Sequence, residues 1–353
     1  MKDLGALRLA LVYAGCFLGA GYVSGQELWQ FFGVYGKNGY GGLLLAMALL
    51  GFFGILMLLT ARRMGDDDMD HVVIPWRAPW LHTALGVLAC VFFFGVDAIM
   101  NAGVGAMAEQ LFSVSHALAS AVFSLAVLAI ALLGLRGLAS AFSVSVPLLV
   151  ICTVLFGILS VKENGFTVNT ASVFLDHAGL LGNWFVGALV YASYNIFGAL
   201  GIVIPFAGHV KNRRTVFIGI GLGTILLALI AMSVLLSLHA MPVASEAELP
   251  MLYCAQQQGN GFAYVYALLL LLAMFGTSLS CLVGMVEYLE LKRPRFQKRH
   301  GIFVAVLLAL AYLAGLFGFG DLIGVIYPVF GYAGAVFLLC LLIQWRRQKT
   351  KDA

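Results

Sequence analysis

Four acidic residues, Glu27, Asp97, Glu109 and Glu287, fall inside or at the edge of long apolar runs. An ionisable group within a membrane-spanning helix costs about 2.5 to 3.5 kcal/mol on insertion scales, so it is retained where it serves a solute or proton pathway. Glu27 and Asp97 are the candidates for proton coupling, whereas Glu109 and Glu287 lie close enough to run ends to reach water. Asp97 and Asn101 are four residues apart and share one helix face.

A second chemistry is available without a buried charge. The segment AMFGTSLSCLVG carries adjacent hydroxyls at Thr277 and Ser278. Hard cations take oxygen ligands, and two hydroxyls with backbone carbonyls supply them. The competing use of such hydroxyls is a bond back to their own helix.

Two further clusters are compositional. LVYAGCFLGAGYVSGQELWQFF places Gly19, Gly21, Ser24 and Gly25 at mid-run, and FVGALVYASYNIFGALGIVIPF places Ser193, Tyr194 and Asn195 there, followed by Gly198, Gly201 and Pro205. Glycine disfavours a helix interior by about 1 kcal/mol. Small residues also permit close helix packing, but two clusters at matching places point to interrupted helices. Unwound backbone frees amides and carbonyls that lipid cannot satisfy, so it persists only where it lines a cavity or a ligand.

These residues sit in a chain that is 62% hydrophobic and 10% charged over 353 residues, against about 45 to 50% and about 25% in a soluble domain. A bilayer core about 30 Å thick takes roughly 20 apolar residues per helix. The runs predict ten spans, at 7–32, 39–61, 81–107, 117–135, 138–161, 183–206, 215–238, 262–289, 302–317 and 322–343. They form a single transmembrane domain over 1–353, with no room for a soluble one. The first run lacks a small-residue cleavage site and is expected to remain in the mature protein.

Eighteen of the twenty basic residues fall on one side of this topology, leaving only Lys37 and Lys162 opposite. The positive-inside rule then places both termini in the cytoplasm of a bacterial-type inner (plasma) membrane. The net charge of +4 therefore carries no nucleic-acid implication; the lipid bilayer is the expected partner. Asp66, Asp67, Asp68 and Asp70 beside His71 read as an aqueous loop, and the six scattered cysteines as small apolar residues.

Ten spans divide into five and five, and an odd number per half inverts the second half. That is the arithmetic of an inverted repeat, 7–161 and 183–343, in which the solute site lies near the midplane at interrupted spans 1 and 6.

GAGYVSGQELWQFF followed by GKNGYGG, with YASYN in span 6, resembles the YkvI-type membrane permeases of the amino acid–polyamine–organocation superfamily. Tyr22 and Val23 stand where Phe and Ala are expected in that motif. The resemblance implies an all-α polytopic LeuT-like fold with helices 1 and 6 broken, and it extends by hydropathy across nearly the whole chain. Asn38, Gly39, Gly41 and Gly42 are similar to the Asn-Gly-Gly-rich start of the second span in sodium-coupled members of that fold.

In that fold the amides of Tyr22, Val23, Ser24 and Gly25 would crown a half-helix end and suit a carboxylate. Carbonyls near Ser193 and Tyr194 would take an ammonium. Gly19, Gly21, Asn101 and Asn195 complete the expected substrate set, with Tyr22, Tyr191 and Phe93 as its apolar wall. Thr277 and Ser278 resemble the hydroxyl pair that closes a sodium site with carbonyls of Ala20 and Val23. Span 5 has no lysine of the kind proton-coupled relatives place there. The expectation is a secondary transporter of a neutral amino acid or related amine, coupled to sodium and using no other cofactor. A proton-coupled permease and a non-transporting amino-acid sensor are the alternatives.

The one enzyme motif is Gly318-Phe319-Gly320-Asp321, the GxGD of intramembrane aspartyl proteases, which need two carboxylates sharing a proton. Their second aspartate follows a tyrosine, and the chain contains no Tyr-Asp. Asp321 is expected to cap span 10 instead, and the chain is not expected to be an enzyme.

Overall fold

A computed structural model describes residues 5–66, 68–76, 78–133, 138–165, 179–292 and 297–349. Of the basic and acidic residues used above, Lys2, Asp67, Arg77, Arg136, Arg293, Arg295 and Lys351 lie outside the described residues.

The described residues form helices joined by short turns. Span 1 is three pieces, α1 (Ala6–Gly15), α2 (Ala20–Ser24) and α3 (Gln26–Phe31). Spans 2 and 3 are α4 (Lys37–Met64) and α6 (Pro79–Phe112), linked by the short α5 (Met69–Val73). Spans 4, 5 and 6 are α7 (His116–Leu133), α8 (Leu138–Asn164) and α9 (Trp184–Val203). Span 7 is α10 (Arg213–Ala240), which leads through α11 (Pro250–Gln257) to span 8, α12 (Asn260–Lys292). Spans 9 and 10 are α13 (His300–Gly315) and α14 (Phe319–Lys349).

Eight of these helices are long and apolar enough to cross a membrane, and α1 and α13 are shorter apolar helices. Their exposed surface is the reverse of a soluble protein's. Leu118, Val122, Leu125 and Leu133 of α7, and Leu310 and Leu313 of α13, are all more than 45% exposed. Apolar faces of that extent need lipid against them. The chain is a multi-pass membrane protein.

Several contacts between spans recur in pairs when five is added to a span number. Span 1 packs on 7 and span 2 on 6; span 5 packs on 7 and span 10 on 2. Span 5 packs on 8 and span 10 on 3, span 4 on 8 and span 9 on 3, while 3 and 8 pack on each other. A two-fold relation between spans 1–5 and 6–10 produces that pattern. Spans 1, 2, 6 and 7 form one bundle; 3, 4, 8 and 9 form the other.

Chain reversal places Arg62, Arg63, Arg213, Arg214, Lys292, Arg346 and Arg347 on the side that also carries Gly5 and Lys349, here termed the basic face; Lys37 and Lys162 lie at the opposite face. On the basic face, Arg62 donates to the carbonyls of Ala207 and Val210 at the end of span 6, where helix carbonyls lack partners of their own. The acidic stretch is structural: Asp68 caps α5 by accepting from Asp70 N at 2.9 Å, and Asp66 pairs with His71 at 3.0 Å.

Candidate solute-binding site

Span 1 breaks between Gly15 and Ala20. The turn is tight, with Gly19 N donating to the Phe17 carbonyl at 2.8 Å. Five residues later the helix is offset again at Gly25, whose φ of 87° lies in the left-handed region. A Cβ at Gly25 would also crowd Met251, Leu238 and Val234 at 3.1 to 3.2 Å, so both the backbone and the space require glycine.

A cavity of about 560 Å³ lies at this break. Its wall comprises Cys16–Gly19 and Glu27 of span 1, Phe92, Phe93, Val96 and Met100 of span 3, Tyr194, Asn195 and Gly198 of span 6, Gly276, Thr277, Ser280 and Cys281 of span 8, and Tyr327 of span 10. It extends past Leu11 of span 1 and Ile202 of span 6, on the basic-face side of the break.

The opposite end is shut. Gln30 Nε2 donates to the Gly320 carbonyl at 2.9 Å, and Gly320 N donates to Glu248 Oε2 at 2.7 Å. Gln110 Nε2 bridges to Leu249 O and Gln256 Oε1 at 3.4 and 3.1 Å. Below these bonds, α11 buries Met251, Leu252, Cys254 and Ala255. The segment after span 7 is thus a short closing helix. In the first turn of α14 it is Glu248 that accepts from an amide, that of Gly320, while Asp321 is the third residue of the helix.

Glu27 is the acidic residue of the cavity wall. It is 4% exposed, accepts from the Tyr194 hydroxyl, and stands beside Tyr191 and Asn195. A Cβ on Gly21 would approach Glu27 Oε2 at 2.7 Å, so the carboxylate lies against the backbone of α2. No Lys, Arg or His lines the cavity among the described residues.

Asp97 is fully buried behind Val96. Its Oδ1 accepts from the Ser278 hydroxyl, and its Oδ2 has no partner among the described residues.

Of the expected substrate residues, Gly19, Phe93, Tyr194 and Asn195 line the cavity, and Gly21 accommodates Glu27. The others do not line the cavity. The Tyr22 hydroxyl donates to Leu227 O at 2.6 Å, toward span 7, and Ser24 bonds Gly21 O at 3.2 Å within its own turn. Ser193 bonds Leu189 O at 2.7 Å, and Tyr191 packs among Phe31, Phe32 and Tyr194. Asn101 donates to Asp97 O at 3.0 Å and accepts from Ser124, which turns it toward span 4.

Span 6 corrects the expected break. α9 runs unbroken through Ser193, Tyr194 and Asn195; its interruption is a change to 3-10 helix at Ile204–His209, imposed where Pro205 has no amide to donate. Ser193 and Asn195 bond carbonyls four residues back, which helix interiors tolerate. The carbonyls near Ser193 and Tyr194 are therefore not freed for a ligand. In span 1, likewise, the half-helix opens at Ala20, Gly21 and Tyr22 rather than at Tyr22 to Gly25.

The expected sodium ligands have other engagements. Ser278 is turned to Asp97, and the Val23 carbonyl accepts from the Tyr266 hydroxyl at 2.7 Å. Thr277 lines the cavity, and Ala20 is buried at the start of α2. Phe92, Val96, Met100, Cys281 and Tyr327 enter the wall without a polar or glycine signal of the kind that marked spans 1 and 6.

A broken first span, paired five-span halves and a central cavity define a LeuT-like helical membrane fold. The solved structure of MhsT in complex with L-phenylalanine superposes with a TM-score of 0.65 at 17% identity, covering 96% of this chain and 89% of that one. The inward-facing conformation of Mhp1 gives 0.60 at 14%, covering 96% and 76%, and a manganese transporter of Eremococcus coleocola gives 0.56 at 12%, also covering 96% and 76%. Among curated sequences, the uncharacterized membrane protein YkvI of Bacillus subtilis (strain 168) is 26% identical over 342 residues, 96% of this chain and 95% of its own length. The YyaD protein of the same organism is 24% identical over 343 residues, 96% of each. No protein-family model matches the chain.

Proposed function

We propose that the chain is a secondary transporter that moves a small organic solute bearing an amino group, an amino acid or related amine, by alternating access. One observation carries the reading: a cavity at a helix break, extending toward the basic face, sealed at the opposite face, and holding a buried carboxylate with no basic residue in its wall among the described residues. Broken helices at a repeat interface are where solutes bind in such folds. A buried anion is stable when a cation sits against it, and a solute amine would supply that charge. Phe92, Phe93, Val96 and Met100 provide the apolar wall for the rest of the solute.

Alternating access follows from two bundles sharing one site. In this conformation Gln30, Gly320 and Glu248 hold the far side shut. Breaking those bonds while closing the passage past Leu11 and Ile202 would present the same cavity to the other face.

Coupling is assigned to Glu27 and Asp97, the acidic side chains buried within the spans among the described residues, with the Thr277 and Ser278 hydroxyls as the sodium-coupled alternative. The one-sided distribution of basic residues supports a bacterial-type inner membrane with both termini cytoplasmic.

The test is uptake and counterflow in proteoliposomes against a panel of amino acids and amines, each in sodium and in potassium. Saturable, cavity-dependent flux of one chemical group is the expected result. Binding without flux would instead favour the sensor reading, and sodium-dependent flux abolished by Thr277→Ala would restore the sodium site.

A further inference from the structure

We propose that a second cavity, on the basic face between the ends of spans 2, 3, 8 and 10, is a regulatory site for a phosphoethanolamine group, and that its occupancy holds the conformation described above. The binding stands on its own; the regulation rests on the transport reading.

This cavity has a volume of about 1160 Å³ and shares no lining residue with the one at the span 1 break. Arg63 of α4 stands on one side of it, Asp70 of α5 and His82 of α6 on another, and Gln344 and Gln348 enter from the end of α14. Several of its polar groups already have partners. Asp66 pairs with His71 at 3.0 Å, His82 bonds the Trp76 carbonyl at 3.2 Å, and Arg347 donates to Pro75 O at 2.7 Å.

Three side chains keep unmet capacity. Arg63 Nη1, Asp70 Oδ1 and both amide atoms of Gln348 are buried and have no hydrogen-bond partner among the described residues. Buried polar atoms ordinarily have one. The Arg63 guanidinium lies over the Trp345 ring at 3.9 Å, which orients it without neutralising it. A cationic donor and an anionic acceptor are thus both waiting, and a ligand that satisfies the two carries an anionic end and an ammonium. The ends are close in the fold: Gln344 Nε2 touches Met64 Sδ at 3.5 Å and His71 O at 3.0 Å, so the chain neighbours of Arg63 and of Asp70 meet on one nitrogen.

Phosphate suits the anionic end, because a guanidinium offers it a planar fork of donors. The setting supplies such a group. The cavity lies at the ends of four spans, with Trp76 in its wall and Trp80 beside its Pro79, the two 39% and 69% exposed. Tryptophans collect at the level of the lipid headgroups, and basic pockets between spans at that level take headgroups. Ethanolamine adds the ammonium that Asp70 lacks.

Occupancy reaches the central cavity through α5. Met69, the residue before Asp70, has its Sδ 3.8 Å from where a Cβ on Gly201 would project, and Ile202, the next residue, lines the central cavity. The second cavity also draws its wall from both bundles, with Arg63 from span 2 and His82 and Lys292 from spans 3 and 8. Its shape therefore changes when the bundles move. A ligand that fits one placement of them favours that placement by linkage.

The experiment uses purified full-length protein. Phosphatidylethanolamine, phosphatidylcholine and phosphatidylglycerol are compared in nanodiscs, and the three matching soluble glycerophosphodiesters in lipid-free detergent. Choline has no N–H to donate and glycerol has no ammonium. The expected result is retention of the ethanolamine form about tenfold or more above the other two, the effect of one charge-assisted hydrogen bond. Discrimination among the lipids alone identifies the bilayer as the source; discrimination among the soluble diesters as well shows that the headgroup suffices. Either supports the site.

Asp70→Asn should erase the preference for ethanolamine over glycerol. Arg63→Gln should weaken all three by about tenfold or more, while Arg63→Lys, which keeps the charge, should retain most binding and guards against a folding failure. In a Ser280→Cys protein with the native cysteines replaced, phosphatidylethanolamine should raise labelling from the basic face severalfold. Equal binding of the three headgroups, or a preference that survives Asp70→Asn, would overturn the site. A preference without any change in labelling would overturn the regulation. Neither readout requires flux, so a failure of the transport reading shows separately, as labelled and ligand-bound protein that moves no solute.

Discussion

The Tyr194 hydroxyl donates to the Glu27 carboxylate while its ring stacks on Tyr327, 4.6 Å away and 9° from parallel. One side chain of span 6 therefore holds a group of span 1 and a group of span 10 in fixed relation. The two contacts are separable, because a phenylalanine keeps the stack and loses the donor.

Tyr194→Phe should consequently leave the fold intact and weaken the site. Removing a hydrogen bond to a charged group costs about 1.5 to 3 kcal/mol. The expected outcome is a protein that purifies normally, with solute affinity changed by about ten- to a hundredfold in equilibrium binding. Tyr327→Phe, which keeps the stack, should change it far less.

Glycines in span 2 provide a matched pair. A Cβ on Gly39 would lie 1.9 Å from the Phe32 carbonyl oxygen, whereas one on Gly41 meets nothing within 4 Å. Gly39→Ala should destabilise by several kcal/mol or prevent accumulation of folded protein. Gly41→Ala, at an exposed helix position, should be neutral or stabilising by up to about 1 kcal/mol. Melting curves of the two variants in detergent check both.

The sidedness of the cavity can be read with one thiol. Ser280 is exposed and lines the cavity, and its own bond is to Gly276 O within its helix. Ser280→Cys, in a protein with its six native cysteines replaced, should react with an impermeant reagent from the basic face and be shielded from the other. Adding Glu248→Ala removes the acceptor for Gly320 N and should raise reactivity from the far face severalfold.

Asp70, outside the membrane spans, gives a pH dependence. Burial raises its pKa above the ordinary 3.8, and the neighbouring Asp68 adds to the rise. A carboxyl whose pKa is raised on folding binds its proton more tightly in the native state, so stability declines as pH climbs from the ordinary value through the folded one. Asp70→Asn should flatten that part of the stability profile, measured by melting from pH 3 upward, and at neutral pH it should not destabilise.

The break in span 1 was legible because Gly19, Gly21 and Gly25 cluster where a helix has no other use for them. Span 6 misled for a definable reason. Ser193 looks like a site residue but bonds a carbonyl one turn back, as Asn101 does in span 3, whereas Asn195 makes the same kind of bond and still lines the cavity. A polar residue in a membrane helix has those two outlets, and composition does not distinguish them. The apolar wall was invisible on different grounds. Apart from the stripe of Asp97 and Asn101, the middle of span 3 is apolar on every side, so Phe92, Val96 and Met100 carry no mark of which face meets a cavity. Glu27 was legible as an acid in an apolar run. Its contact with Tyr194, 167 positions away, could come only from the packed spans.

The six residues of α3 hold Gln26 and Gln30 beside Gly320 at the closed end, and Glu27 in the cavity wall. Gly25, the left-handed residue before them, separates this piece from the rest of span 1. Latch and counter-ion thus ride on one short lever. Swinging it to uncover the far side re-aims the carboxylate in the same motion, so grip on the solute and exposure to either compartment cannot vary independently.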